Sequence, residues 1–222
     1  MEEGKTAIIL GATGLTGSTL LKQLLNDDRY KTIKLFSRSS INKENPKIKE
    51  YIVDMFDLML HHDDFTADEV FCCIGTTKSK TPDKAKYKAI DYGIPVAAAM
   101  LCKKNNINTY AVISSMGADS ESAIFYNRIK GKMEDEVMSL HIPKTFILQP
   151  SLIAGKRDES RPAEWFFKQL MKGLNYIMVG PLKKYQSITP DKIAKSMVYL
   201  ANSNRGTAVI KNDEIQQIAK NL

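Results

Sequence analysis

The sequence of 222 residues predicts an α/β fold, a doubly wound parallel sheet with helices on both faces and a small C-terminal cap. Three observations predict it: short apolar segments alternate with helical segments, a glycine-rich turn follows the first apolar segment, and the alternation ends after Pro150. Alternating strands and helices favour right-handed crossover units, which build a parallel sheet. At this length we expect one domain over residues 1–222, with residues 151–222 capping the substrate side.

The individual elements are predicted from apolar periodicity. Residues 6–10 form a mostly apolar run, typical of a strand buried on both faces, whereas residues 18–25 carry apolar side chains at helical spacing. The same criteria predict further strands at residues 32–36, 51–53, 69–74, 109–113, 144–148 and 207–210. They predict helical segments at residues 57–61, 82–105, 125–140, 163–172 and 214–220, and a helix that begins at Thr189-Pro190 behind a hydroxyl cap.

The composition excludes several classes of protein. Hydrophobic residues make up 43% and charged residues 26% of the chain, and no apolar run approaches the roughly 18 residues of a membrane helix. The net charge is +7, but the lysines are scattered and form no basic block, so we expect neither nucleic acid nor membrane as a partner. The opening MEEGK carries acids and no basic leader, which predicts a cytoplasmic protein without a signal peptide.

The three cysteines indicate a reducing environment. Cys72, Cys73 and Cys102 have no metal-ligand spacing, and the adjacent pair cannot readily bridge to itself. We therefore expect small core thiols and no metal site.

The glycine-rich turn has the composition of a dinucleotide site. One glycine permits the tight turn, a second lets backbone approach a pyrophosphate, and a third lets helix and strand pack closely, so that the helix amides face the phosphates. The spacing is GxxGxxG rather than GxGxxG, and an ordinary strand-to-helix turn is the alternative interpretation. The predicted cofactor contacts in this turn are Gly11, Ala12, Thr13, Gly14, Leu15, Thr16 and Gly17.

The end of the second strand favours NADP(H) over NAD(H). NAD-dependent sites carry an acid there that binds the adenosine ribose, whereas this chain has Ser37-Arg38-Ser39. A guanidinium flanked by hydroxyls is suited to a 2′-phosphate, since its donors match phosphate oxygens. We predict cofactor contacts from Ser37 and Arg38; the alternative is a surface arginine at a strand end.

Two further strand ends are candidate cofactor contacts. Asp54 follows the third strand, where its carboxylate either accepts from the adenine amine or caps a helix. Ile74 and Gly75 close the fourth strand, where a glycine lets backbone lie against a ligand, although a plain turn explains it nearly as well.

A tyrosine and a lysine four residues apart form the candidate catalytic pair. Tyr126 and Lys130 lie on one face of a predicted helix, so that the ammonium favours the ionised phenol. A phenol with its ordinary pKa near about 10 exchanges protons poorly at neutral pH. Ser114 or Ser115, upstream at a strand end, supplies a hydroxyl to orient a carbonyl. A structural tyrosine on a helix is the ordinary alternative.

The motifs together resemble the atypical branch of the short-chain dehydrogenase/reductase superfamily. The segments FCCIGTTKSK, ISSMGADSESAIFYNRIKGKMEDEV and GKRDESRPAEW more closely resemble the Tat-interactive-protein oxidoreductases. This resemblance implies an NADP-binding Rossmann domain with Ser115 (or Ser114), Tyr126 and Lys130 as catalytic residues. Beyond the contacts already given, it implies cofactor contacts at Ile153 and Arg161. The asparagine that such proteins often carry as a fourth catalytic group is not identified in this sequence.

The expected function is NADPH-dependent reduction of a carbonyl group in a small molecule. Hydride passes from the nicotinamide to the carbonyl carbon while Tyr126 donates a proton to its oxygen. Alternatives are a cofactor-binding regulatory protein with little turnover, and an epimerase or dehydratase on the same scaffold. We expect a monomer or a homodimer.

Overall fold

The computed structural model describes residues 4–154 and 185–222. Its strands are β1 (Lys5–Leu10), β2 (Tyr30–Ser37), β3 (Ile48–Ile52), β4 (Glu69–Cys72), β5 (Thr109–Ile113), β6 (Lys144–Gln149) and β7 (Ala208–Lys211). They form one sheet in the order β3-β2-β1-β4-β5-β6-β7, and all neighbouring strands are parallel. The strand order reverses between β1 and β4, where doubly wound sheets leave a crevice for a ligand.

Helices connect these strands. A 3₁₀ segment, Met55–His61, follows β3, and a π-helical turn, Ala89–Gly93, lies between two α-helices. No helix among residues 4–154 and 185–222 has the length and apolar character needed to cross a membrane. The α-helices are α1 (Leu15–Leu25), α2 (Lys84–Lys88), α3 (Ile94–Lys104), α4 (Phe125–Ser139), α5 (Pro190–Ala201) and α6 (Asn212–Lys220).

The core consists of two apolar layers, one on each face of the sheet. On one face, side chains of α1 and α5 such as Leu24 and Met197 pack against β1, β2 and β6. On the other face, side chains of α3 and α4 such as Leu101 and Met133 pack against β4 and β5. The predicted α/β fold, a Rossmann-type doubly wound parallel sheet with helices on both faces, is therefore confirmed.

The third strand begins earlier than the prediction. It spans Ile48–Ile52 rather than residues 51–53, and charged side chains interrupt its apolar pattern. As an edge strand, it pairs only with β2 and is nowhere fully buried, so continuous apolarity was the wrong criterion for its start.

The predicted long helix at residues 82–105 contains a π-helical turn. Ile94 donates its backbone N–H to the carbonyl of Ala89, five residues earlier. Pro95 follows; it has no N–H to donate to the carbonyl of Asp91, and its ring would collide with that carbonyl in a regular helix. A wider turn at this point relieves the collision.

The described part of the C-terminal third extends the sheet. Thr189 caps α5 by accepting from Lys192 N–H, and Pro190 stands in the first turn, as predicted. Strand β7 adds to the edge of β6, while α5 and α6 cover one face. The predicted helix at 163–172 lies outside the described residues.

Candidate functional site

The turn between β1 and α1 requires glycine at defined positions. Gly11 has φ +84°, in the left-handed region that favours glycine. A Cβ on Gly17 would lie 2.1 Å from the backbone oxygen of Gly11, so any side chain there would force α1 away from the strand. Gly14 closes the turn by donating its N–H to Gly11 O at 2.9 Å. This is the tight approach of strand and helix that a dinucleotide site needs.

The amino end of α1 is suited to an anion. Gly14 caps the helix without a side-chain hydrogen bond, and no acid lies in the first turn. Thr13 and Gly14 are exposed, and with Leu15 and Thr16 they line a cleft. Unpaired amides and the positive end of the helix dipole favour phosphate at such a place.

The cleft lies over the carboxyl ends of the central strands and has a volume of about 710 Å³. Its position at the β1/β4 reversal is where parallel α/β sheets bind ligands. The predicted residues that line it are Thr13, Gly14, Leu15, Thr16, Ile74, Gly75, Ser115, Lys130 and Ile153. Further lining residues are Ser18, Cys73, Thr76, Thr77, Lys80, Tyr87, Asp91, Ile113, Ser114, Pro150, Ser151 and Leu152.

Lys130 lies at the floor of this cleft in a buried ion pair. Its Nζ is 2.9 Å from Asp91 Oδ1, and the side chains are 8% and 1% exposed. The same ammonium donates to Ile113 O at 3.4 Å, while Thr76 N–H donates to Asp91 Oδ2 at 2.8 Å. A Cβ built on Gly75 would lie 3.9 Å from the Lys130 ammonium, so the predicted lysine and the predicted glycine meet.

The two serines at the end of β5 have different surroundings. Ser114 is buried and donates its hydroxyl to Glu134 on α4, which also accepts from Gln149 at 2.9 Å. Burial raises the pKa of Glu134, although these two hydrogen bonds act in the opposite direction. Ser115 is only partly buried and lines the cleft. Ser115 is therefore the better placed of the two to meet a ligand.

Tyr126 stands beside the cleft rather than among its described lining residues. Its ring packs edge-on against Tyr87, with the ring centroids 4.7 Å apart, and Tyr87 lines the cleft. Burial raises the pKa of the Tyr87 phenol well above its ordinary value, and the charge of Asp91 acts in the same direction. Tyr87 is thus a second phenol at this site, held in its protonated form.

The residues predicted to contact the adenosine part of the cofactor differ in how accessible their side chains are. Arg38 is exposed at the end of β2, whereas Ser37 is buried and donates its hydroxyl to the backbone oxygen of Ser39 at 2.9 Å. Asp54 accepts from Phe56 N–H at 2.9 Å, so its carboxylate caps the 3₁₀ segment, the alternative stated for it above. Arg38 is the member of this group whose side chain is most open to a ligand.

The remaining predicted residues fall into three groups. Gly11, Ala12 and Gly17 shape the turn from beneath rather than lining the cleft. Ile153 lines it and pairs with Ile188 in an isolated parallel bridge. Arg161 lies outside the described residues.

Two of the three cysteines take the expected core positions, and the third lines the cleft. Cys72 and Cys102 are buried, and Cys73 is partly buried at the cleft, where burial raises the pKa of its thiol. Within the described ranges, no group of three His, Cys, Asp or Glu side chains is arranged to hold a metal ion.

Asp91 is a residue of the cleft that sequence reasoning missed. A signal for it existed: Tyr87, Ile94 and Ala98 are buried at helical spacing, and Asp91 occupies the intervening position of the same apolar stripe. A charge on a buried stripe needs a partner, and that partner, Lys130, comes from a helix much later in the chain. Sequence spacing alone does not connect the two.

Sequence comparison identifies the family and several related proteins. Residues 7–128 match the model of the NAD-dependent epimerase/dehydratase family. The FMP52 protein of Meyerozyma guilliermondii is 30% identical over 225 residues, covering 96% of this chain and 95% of its own. Protein HTATIP2 of Rattus norvegicus is 30% identical over 176 residues, covering 78% of this chain and 72% of that one. The resemblance inferred from the motifs is confirmed.

Solved structures share the fold at low identity. WbmG of Bordetella bronchiseptica, in complex with NAD and UDP, has a TM-score of 0.70 at 16% identity, covering 95% of this chain and 73% of that one. A UDP-N-acetylglucosamine 4-epimerase of Methanobrevibacter ruminantium M1 has a TM-score of 0.70 at 17% identity, covering 94% and 76%. At this identity the likeness shows the fold alone.

The expected cytoplasmic location is wrong. The Meyerozyma relative is named a mitochondrial protein, as is an FMP52 protein of Debaryomyces hansenii that is 28% identical and covers 89% of this chain. The expectation came from the charge of the first residues and from the reduced cysteines, and neither property identifies a compartment.

Proposed function

The chain belongs to the NAD-dependent epimerase/dehydratase family, and on that premise we propose that it is an NADP(H)-dependent oxidoreductase that reduces a carbonyl group of a small molecule. One observation carries the proposal: a single cleft joins the free amino end of α1 to Lys130 and Ser115. An anion site and proton-handling groups in one crevice are what a nucleotide-dependent reduction requires.

The residues present fit a dinucleotide. The approach of Gly17 to Gly11 O leaves no room for a side chain, and the first-turn residues of α1 line the cleft. The phosphates would be held by the backbone of Thr13–Thr16, and Lys130 would donate to a ribose hydroxyl. Arg38, exposed and cationic at the end of β2, would bind the 2′-phosphate.

The bound cofactor supplies hydride, and the chain's own residues control the proton and the orientation. We assign the proton donor to Tyr126, whose phenol gives a proton to the carbonyl oxygen while Lys130 stabilises the phenolate that is left. Ser115 donates a hydrogen bond that orients the same oxygen. Tyr87 is disfavoured as the donor because burial raises the pKa of its phenol, so that its anion is poorly stabilised.

Replacing each phenol in turn tests the assignment. Tyr126→Phe keeps the ring against Tyr87 and should lower kcat for carbonyl reduction at least about 100-fold, with little change in NADPH affinity. Tyr87→Phe is the matched control and should retain most of kcat. Steady-state oxidation of NADPH with a panel of aldehydes, ketones and quinones provides the measurement. A reversed order of the two variants would move the proton donor to Tyr87, and absence of turnover in a wild type that binds NADPH would favour a regulatory protein.

The choice of cofactor is tested at Arg38. Arg38→Ala should weaken NADPH binding about tenfold and leave NADH binding nearly unchanged, because only NADPH carries the 2′-phosphate. Arg29→Ala, at the amino end of the same strand and paired with Asp27, is the control and should change neither affinity. Calorimetric titration of both cofactors measures the difference. Equal affinity of the wild type for NADPH and NADH would contradict the preference.

Epimerase or dehydratase chemistry is the second candidate, favoured by the family model and by fold neighbours that are nucleotide-sugar enzymes. Such a reaction returns the hydride to the substrate and leaves the cofactor unchanged overall. Conversion of a nucleotide sugar without net change in NADPH absorbance would therefore select this candidate over the reductase.

A further inference from the structure

Asp91 is a buried acid that the mechanism above does not use. We propose that Asp91 is a positioning residue: its carboxylate holds the Lys130 ammonium at the cleft floor and joins it to the Gly75–Thr76 backbone. The inference rests on the proposed function for the role of Lys130 toward the cofactor. The contact itself is made between two side chains of the protein and involves no cofactor.

The contacts of Asp91 run in two directions. One carboxylate oxygen lies 2.9 Å from Lys130 Nζ, on α4, and the other accepts from Thr76 N–H at 2.8 Å, in the loop after β4. Gly75 lies beside this ion pair, since its built Cβ would be 3.5 Å from Asp91 Oδ1 and 3.9 Å from the ammonium. One side chain thus contacts both a residue of α4 and the loop after β4 at the cleft floor.

Asp91 lies in an unusual stretch of backbone that sets the direction of its side chain. Asp91 lies within the π-helical turn Ala89–Gly93, which adds a residue to the turn ahead of Pro95. Such turns are rare in α-helices and are often found at functional sites, because they redirect a side chain without ending the helix.

Stability alone gives no reason for this pair. A buried ion pair is often no more stable than apolar side chains of the same size, and Tyr87, Ile94 and Ala98 fill the rest of the stripe. Moreover, Asp91 Oδ1 accepts no well-directed hydrogen bond from the described residues, although the ammonium is within ion-pair distance. Incompletely satisfied charges in a cleft are typical of functional sites.

The position of Lys130 explains what Asp91 contributes. An ammonium has three N–H donors, of which one faces Asp91 and a second faces Ile113 O at 3.4 Å. Lys130 also lines the cleft, so its remaining donor is available to a ligand there. Without the carboxylate, the ammonium loses its 2.9 Å ion pair, and the long contact with Ile113 O is the hydrogen bond that remains to it within residues 4–154 and 185–222.

The test compares two buried carboxylates that are each paired with a lysine. Asp91→Asn keeps an oxygen for Thr76 N–H and removes the charge that faces Lys130. NADPH affinity, measured by calorimetry on the folded variant, should fall about tenfold or more. Glu69→Gln removes the charge of the Lys5 pair at the opposite end of the sheet and should leave NADPH affinity unchanged. Wild-type affinity in folded Asp91→Asn would overturn the proposal.

Non-additivity tests the coupling to Lys130. If Asp91 acts through Lys130, the double variant Asp91→Asn/Lys130→Met should bind NADPH no more weakly than Lys130→Met alone. A further loss equal to that of Asp91→Asn in the wild type would overturn the proposal. This comparison still applies if Asp91→Asn by itself does not fold, because the double variant leaves no unpaired charge.

A measurement without cofactor separates this inference from the proposed function. Lys130 in the apo protein should react faster with pyridoxal 5′-phosphate and borohydride in Asp91→Asn than in wild type, about tenfold or more by peptide mass spectrometry. The rate should be unchanged in Glu69→Gln. Equal rates in wild type and Asp91→Asn would overturn the proposal. If Lys130 reacts more slowly in wild type than in Asp91→Asn but the wild type does not oxidise NADPH, only the proposed function would be overturned.

Discussion

Two buried carboxylate–lysine pairs lie at opposite ends of the same sheet. At the amino ends of the strands, Glu69 pairs with Lys5 at 2.5 Å; at the carboxyl ends, Asp91 pairs with Lys130 at 2.9 Å. Both carboxylates are almost fully buried. The pairs differ in how completely their surroundings satisfy them, and that difference separates a structural element from a site.

The pair at the amino end is closed. Glu69 also accepts from the buried Tyr30 hydroxyl at 2.6 Å, and Asn202 connects Lys5 and Tyr30 by accepting from one at 2.8 Å and donating to the other at 2.6 Å. Burial, followed by the negative charge of Glu69, raises the pKa of Tyr30 and keeps it a donor. Each polar atom of the cluster has a partner within the protein, and none lines the cleft.

The pair at the carboxyl end is open. Asp91 and Lys130 line the cleft, and Asp91 Oδ1 lacks a well-directed hydrogen bond within the described ranges. The same residue classes in the same sheet therefore stabilise the fold at one end and leave interacting capacity at the other. The two ion pairs differ in how completely their polar atoms are hydrogen-bonded, rather than in the burial or charge of their carboxylates.

Lys130→Met should give the largest effect on stability. It leaves the Asp91 carboxylate buried at 1% exposure with Thr76 N–H as its remaining close partner. We expect the free energy of unfolding to fall by about 3–5 kcal/mol, as when one member of a buried pair is removed. Urea denaturation followed by circular dichroism measures it.

The matched change at the amino end is Glu69→Gln. Its cost should be smaller, about 1–3 kcal/mol, because the Lys5 side chain is 37% exposed and can be solvated when its partner is lost. If Glu69→Gln cost more than Lys130→Met, solvation of the Lys5 ammonium would not compensate for the lost carboxylate, and the expected order of the two costs would be wrong.

Glu134→Gln should give the smallest effect, visible as a change in pH dependence. Burial raises the pKa of Glu134 in the folded state above its unfolded value. Its contribution to stability is therefore present below the unfolded pKa and is lost as pH rises through the folded pKa. Removing the carboxyl should make the variant gain relative to wild type by about 1 kcal/mol or less between about pH 4 and about pH 7. Parallel urea curves at each pH check this, and a relative loss over that range would contradict it.

The sequence determined the parts of this protein that depend on neighbouring residues. The strand, turn and helix around Gly11 and Gly17 follow from local apolar spacing and from glycine positions that admit no Cβ. The Thr189-Pro190 helix start, similarly, is a matter of backbone geometry and one hydroxyl. These rules act within a few residues, so a single chain displays them.

The tertiary structure decided which side chains meet. Only the sheet brings Asp91, after β4, within reach of Lys130, after β5, and only the packing of α4 shows that Ser114 is used by Glu134 while Ser115 faces the cleft. Tyr87 entered the site in the same way, by packing against Tyr126. Such contacts depend on register and helix orientation, which are set by the whole core and leave no spacing pattern in the sequence.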